Sequence, residues 1–292
     1  MKLLVIIVTY NGMRWIERCL SSVRNSSLQS DLFIVDNGST DGTIEYINEH
    51  YPMANFIVSK ENLGFGRANN LGFEYAIKNN YDYVYLLNQD AWIQNNDILR
   101  LIECHKRNSE YGILSPIQVN REVTRVDRNF MTSIPASLID TLLVTHNNIP
   151  SVYQNQRSTP AAHWLIPISV IKKVGGFSPA FTHYGEDFDY THRAQYWNYK
   201  CGIVTHTYGI HDREDRILPP NKIMHIVHMT LIYIYINPNL NKKTQLKLIL
   251  KHIMIYFPTY PLLCIKKLLK FIIDLPRLRK IKKTSLNEGA FL

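Results

Sequence analysis

Three carboxylates and an arginine crowd the segment "YGEDFDYTHRA": Glu186, Asp187, Asp189 and Arg193. If Gly185 closes a turn and a helix starts near Glu186, Asp189 and Arg193 stand at i, i+4 with the acid first. That is the favourable order for a helical ion pair. Glu186, at i, i+3 from Asp189, shares their face, whereas Asp187 projects about 100° away. Acids at a helix N-terminus are favoured by the helix dipole, which accounts for Glu186 and Asp189. It accounts less well for a third acid on another face.

A second candidate group is "LLNQDAW", where an apolar strand delivers Asp90 at its exposed end with Asn88 two residues earlier. A hard divalent cation takes oxygen ligands and bridges a carboxylate to a diphosphate, so Asp90 is a candidate metal ligand; helix capping is the alternative. His211, in "GIHD" just after a strand, is a candidate second ligand. The stretch "NLGFGRANNLG" holds Gly64 and Gly66 but neither GxGxxG nor GxxxxGK[ST], which excludes a P-loop or dinucleotide fingerprint. It still reads as a turn opening a helix, with Arg67 in the first turn, where amides and a cation could hold a nucleotide.

These residues need elements to position them. "LLVIIV" (3–8), "LFIVD" (32–36), "NFIVS" (55–59), "YVYLLN" (83–88) and "GILSP" (112–116) are short, apolar and rich in β-branched or aromatic side chains. Helix-like segments separate them: Trp15–Arg24, Thr43–Glu49, Gly66–Lys78 and Asn96–Lys106. The alternation predicts βαβ units, hence a doubly wound, mostly parallel α/β sheet with helices on both faces. Polar clusters then fall at strand ends: Thr9, Tyr10 and Asn11; Asp36 and Asn37; Asn88, Gln89 and Asp90. Ligands of open α/β sheets bind outside such ends. One cluster alone is explained by helix capping; three together predict a site. From about 120 to 160 the periodicity loosens, as in a functional or poorly ordered loop.

Composition narrows the classes. With 46% hydrophobic and 20% charged residues the chain is globular. Four scattered cysteines without a CxxC pair argue against a disulfide framework and a structural zinc, and for a reducing, cytoplasmic compartment. The apolar start lacks a small-residue cleavage site and reads as a first strand, not a signal peptide. The net charge of +9 is uneven: from Lys222 onward there are 13 Lys and Arg against 2 Asp and Glu. The rest has 20 basic and 22 acidic residues, so a nucleic-acid partner is not indicated.

Taken in order, "VTYNG", "VDNGSTDGT", "ENLGFGRANNLG", "LLNQDA", "VGGFSPAF" and "YGEDFDYTHRA" resemble family 2 inverting glycosyltransferases of the GT-A fold. The likeness is greatest to rhamnosyltransferase-like members of bacterial surface-polysaccharide pathways and covers roughly residues 1–212. It implies a catalytic domain over 1–220, with a nucleotide half to about 118 and an acceptor half from about 119. Thr9, Tyr10 and Asn11 would line the nucleotide site with Asp36, Asn37, Arg67, Asn88 and Gln89. Asp90 would meet a divalent cation, Mg or Mn, on the donor diphosphate, with His211 nearby. Asp187 would be the general base and Glu186 a secondary group. Asn88-Gln89-Asp90 departs from a full DxD, with one carboxylate fewer for a cation. On the acceptor side the resemblance points to "AAHWLIP", with His163 and Trp164; the same tryptophan in an apolar run also reads as core. The rival enzyme class, a sugar-nucleotide nucleotidyltransferase, wants a glycine-rich basic loop after the first strand, where this chain has "TYNGMRW". A non-catalytic nucleotide-sugar-binding protein is the third reading.

Residues 221–292 form a basic extension whose apolar runs are interrupted by histidines, prolines or lysines. It reads as amphipathic helices, which either bind the anionic inner face of a bacterial membrane through 222–283 or pack on the catalytic domain or in a homodimer.

Overall fold

The structure, a computed structural model, describes residues 1–134, 138, 151–212 and 219–292. Parts of the loosened 120–160 segment and of the boundary near residue 220 lie outside the described residues.

The chain runs β1 (Leu3–Thr9), α1 (Met13–Arg24), β2 (Asp31–Asp36), α2 (Thr43–His50), β3 (Asn55–Val58), α3 (Gly64–Lys78), β4 (Tyr83–Asn88). It continues through β5 (Ala91–Trp92), α4 (Asp97–Arg107), β6 (Tyr111–Val119), α5 (Arg128–Ser133), β7 (Val152–Gln154) and β8 (His163–Pro167). Next come α6 (Ile168–Val174), α7 (Glu186–Tyr196), β9 (Lys200–His211), α8 (Pro220–Ile236), α9 (Lys242–Tyr256) and α10 (Pro261–Thr284). Among the described residues nine strands form one sheet in the order β3-β2-β1-β4-β8-β6-β9-β5, with β7 paired to β9.

Alternation along the strands builds two core layers. On β1, Leu3, Val5 and Ile7 face α1 and α4, against Ile16, Leu20, Ile98 and Leu101. Leu4 and Ile6 face α3, α6 and α7, against Phe73, Val170 and Tyr190. The α1 positions Ile16, Cys19, Leu20 and Val23 are all buried, the i, i+3, i+4, i+7 stripe of a helix lying on a sheet.

The doubly wound expectation holds. The parallel pairing is concentrated in β3-β2-β1-β4. Beyond it, β8 runs antiparallel to both β4 and β6, whereas β6 and β9 are parallel. The chain leaves β1 toward β2 and β3 and then returns to the other side of β1 as β4. The gap between the ends of β1 and β4 is therefore the topological switch point.

The C-terminal helices pack on this frame. Met229, Leu231, Ile232, Phe271 and Leu278 share an apolar cluster with Ala180 and Phe181, just ahead of α7. The chain then ends against α6: Gly176 N donates to Ala290 O at 2.7 Å and Gly289 N to Lys173 O at 3.2 Å.

Candidate active site at the switch point

The loops at the strand ends are tied into one rim. Thr9 and Asp36 are register partners at the ends of β1 and β2. The Asp36 carboxylate accepts from Thr9 Oγ1 (2.7 Å), Ser39 Oγ (2.5 Å), Gly38 N (2.9 Å) and Ser39 N (2.7 Å). Those four bonds use its acceptor capacity, and the side chain is fully buried. Asp36 is therefore occupied in shaping the loop, where the resemblance has it line the nucleotide site. Asn11 sits at φ 48; its backbone N–H donates to Ser39 Oγ and its side-chain Oδ1 accepts from Thr40 N.

Gln89 spans the switch point itself. Its Oε1 accepts Tyr10 N at 2.8 Å and its Nε2 donates to Tyr10 O at 3.1 Å. Both ends of the amide are spent on backbone, leaving the exposed Tyr10 ring as the surface presented there. Asn37 Oδ1 accepts Leu63 N at 3.1 Å, joining the second loop to the start of α3. A Cβ on Gly64 would lie 2.5 Å from Thr182 O, and its φ is +77. The α3 turn thus touches the segment that leads into Glu186, a closeness that only a glycine permits. Arg67 turns aside: its Nε donates to Leu63 O and its NH1 lies 4.0 Å from Glu61 Oε1.

Asp90 and His211 meet, as their strands require. Ala91 pairs with His211 across β5 and β9, and Asp212 N donates to Asp90 O at 2.8 Å. His211 Nε2 stands 3.5 Å from Asp90 Oδ1. Its Nδ1 is buried with no hydrogen-bond partner among the described residues. Asp212 Oδ2 accepts from the Trp15 indole (3.0 Å) and Arg121 (3.3 Å), fixing the strand end. The Asp90 carboxylate suits Mg or Mn, which keep water and substrate oxygens in their remaining positions, and His211 Nε2 faces the same carboxylate oxygen. No group of three or more His, Cys, Asp or Glu is assembled among the described residues, so the protein supplies only part of such a shell.

Helix α7 begins at Glu186, as the spacing predicts, after Tyr184 at φ 69 and Gly185 at φ 97. The three acids separate. Asp189 is buried and paired with Arg193 at 2.9 Å. Asp187 is half-buried, with its Oδ1 accepting Phe188 N. Glu186 is buried, and its Oε2 finds no hydrogen-bond partner among the described residues. Burial pushes the Glu186 carboxyl up to about 8, and the neighbouring Asp187 carboxylate adds to the shift. Glu186 is thus easier to protonate folded than unfolded. Its contribution to stability is whole below the ordinary value of 4.5 and is lost as pH rises through about 8. Glu186→Gln should therefore gain thermal stability relative to wild type as pH climbs through that window, with a constant gap above it. Melting curves across the range check this; a pH-independent gap would contradict the buried acid.

His163 and Trp164 are not at an acceptor surface. Both are fully buried. Trp164 lies among Phe177 and Tyr190 and donates to Thr159 Oγ1. His163 Nε2 faces Ile210 O at 3.0 Å and Nδ1 faces the Tyr85 hydroxyl at 2.9 Å. A carbonyl only accepts, so Nε2 carries the proton and Nδ1 takes the Tyr85 hydrogen. Burial lowers the imidazole to about 3 and keeps it neutral. The pair are core residues, because β8 is sandwiched between β4 and β6. His163 instead fixes the carbonyl next to His211. Asp212 and Trp15 were not anticipated from sequence; only the "HD" pair after a strand hinted at the first.

An open α/β sheet with polar loops gathered at its switch point and a carboxylate–imidazole pair beside them is the architecture of the GT-A fold. Residues 4–167 match the model for glycosyl transferase family 2, and the chain belongs to that family. It is 26% identical over 213 residues to the low-salt glycan biosynthesis hexosyltransferase Agl10 of Haloferax volcanii, covering 72% of this chain and 66% of that protein. It is 27% identical over 207 residues to the N-acetylglucosaminyl-diphospho-decaprenol L-rhamnosyltransferase of Mycobacterium tuberculosis, covering 63% and 67% respectively. The chain thus spans about two thirds of the length of these curated relatives. Among solved structures, S. aureus TarS 1–349 in complex with UDP-GlcNAc superposes with a TM-score of 0.60 at 16% identity, covering 96% of this chain and 84% of that one. At that identity the likeness is one of fold.

Proposed function

We propose that this chain transfers a sugar from a nucleoside-diphosphate sugar to a hydroxyl of a glycan acceptor, with inversion at the anomeric carbon. The observation that carries this is the Asp90–His211 pair, 3.5 Å apart beside the switch-point loops. Asp90 and His211 would hold a divalent cation, which supplies charge stabilisation for the departing diphosphate. The Tyr10 ring and the loops shaped by Asp36 and Gln89 form the nucleotide side. Asp187, half-buried in the first turn of α7, is the general base that takes the acceptor hydroxyl's proton as the new bond forms. Glu186, buried beneath it, shapes the turn. One base and one leaving group make a single displacement, which inverts configuration.

The acceptor is a saccharide on a lipid carrier at the inner face of a bacterial cell membrane, in surface-polysaccharide synthesis. The lipid diphosphate in the mycobacterial relative's name supports that choice. The test is turnover across nucleotide sugars and lipid-linked acceptors, following nucleoside-diphosphate release and the anomeric configuration of the product by NMR. Inverted linkage is expected, and a retained configuration would overturn the mechanism. Chelation should abolish turnover and added Mn or Mg restore it; full activity after exhaustive chelation would remove the cation from the scheme.

A further inference from the structure

We infer that the outer face of the α9–α10 hairpin is a bilayer-docking surface that lies in the plane of an anionic membrane. Helix α8 is excluded from it, because Met224, Val227, Leu231 and Ile234 are buried. Its apolar character is spent on packing: Met229 lies against Gly185, and Phe188 stacks on Tyr233 at 5.0 Å. The membrane-facing range of 222–283 therefore contracts to α9 and α10.

There, each helix buries one face and exposes an apolar stripe on another. On α9 the exposed residues Leu246, Leu250 and Met254 recur at i, i+4, i+8. On α10, Leu262, Ile265 and Leu269 recur at i, i+3, i+7, and Leu262 and Ile273 are 81% and 76% exposed. Soluble surfaces rarely gather so many large apolar side chains in one place without a partner.

The charges say which partner. Exposed lysines follow the stripe residues directly: Lys247 after Leu246, Lys251 after Leu250, Lys266 after Ile265 and Lys270 after Leu269. One residue is about 100° of helix, so the lysines border the apolar face, where their stems cover apolar surface and their heads reach a headgroup layer. Asp274 is the one acid on these two helices, and it points inward, 3.9 Å from His228 Nε2 on α8. A second copy on the same face would set lysine border against lysine border. Phosphate headgroups complement it. No helix among the described residues is long and apolar enough to cross a membrane, and the lysines recurring along α10 fit a helix lying in the interface.

Delivery of a lipid-linked acceptor to this surface rests on the function proposed above; vesicle binding itself does not. The full-length chain should float with vesicles of phosphatidylcholine mixed with phosphatidylglycerol, and far less with phosphatidylcholine alone. Leu262→Glu combined with Ile273→Glu should cut that binding by about tenfold or more, with unchanged circular dichroism and melting, since both positions are exposed. Donor turnover with a soluble acceptor should also be unchanged. The inference is overturned if wild type floats with neither vesicle, or if the double variant floats as wild type does. It is equally overturned if light scattering shows a dimer that the double substitution splits. Vesicle binding without sugar transfer would sink the proposed function and leave the surface standing; transfer without vesicle binding does the reverse.

Discussion

Asp187→Asn is expected to lower turnover by roughly 10²–10⁴-fold, the range for a lost acid–base group, with nucleotide affinity unchanged. The change is nearly isosteric, and an asparagine carbonyl can still accept Phe188 N, as Asp187 Oδ1 does, so the helix start survives. What is lost is the ability to take a proton. Saturating kinetics with the true donor and acceptor, alongside a nucleotide titration, separate this from a binding defect. Glu186→Gln should lose much less, because that carboxyl is buried and raised to about 8, already protonated in part at neutral pH. Wild-type turnover in Asp187→Asn, or a larger loss in Glu186→Gln, would move the base elsewhere.

The second large effect is on stability. Arg193 and Asp189 are 0% and 1% exposed and paired at 2.9 Å. Arg193 also donates to Val174 O and Gly176 O, both at 2.7 Å, and its guanidinium lies 5.3 Å from the Phe291 ring centre. Burial pushes Asp189 upward even though Arg193 pulls it down. Desolvation is thus heavily drawn upon here, and the pair holds only as a pair. Arg193→Met leaves a buried carboxylate and two carbonyls without donors, and should cost about 3–5 kcal/mol, read from urea unfolding. Asp189→Leu added to Arg193→Met should recover part of that loss, since it removes the stranded charge. Strictly additive losses would mean the two residues act separately.

The first half of the fold was legible because its information is local. Apolar runs such as 83–88 and helix stripes such as Ile16–Val23 carry their period within one turn or strand. The start of α7 at Glu186 and the Asp189–Arg193 pair followed from helical spacing alone. Asp90 and His211 were each legible as chemistry, but their meeting depends on β5 pairing with the end of β9, across more than a hundred residues. What the sequence hid has the same origin. Asp36 is occupied by four donors that only the folded loops bring to it, and Trp164 reads as a stacking platform until β8 is seen between β4 and β6. The basic tail was legible as amphipathic, yet only packing shows that α8 turns inward while α9 and α10 keep an open face.

The ring over Arg193 comes from Phe291, about a hundred residues later in the chain. Asn70 reaches still further, donating to Phe291 O at 3.3 Å. A ribosome adding roughly 5–20 residues per second therefore finishes α7 roughly 5–20 s before its last neighbour has been made. In that interval the Asp189–Arg193 pair lacks the ring that covers it in the folded chain. Locking of the α7 turn is thus coupled to the synthesis of residues 289–291, and the α9–α10 hairpin emerges before the residues that hold the turn in place.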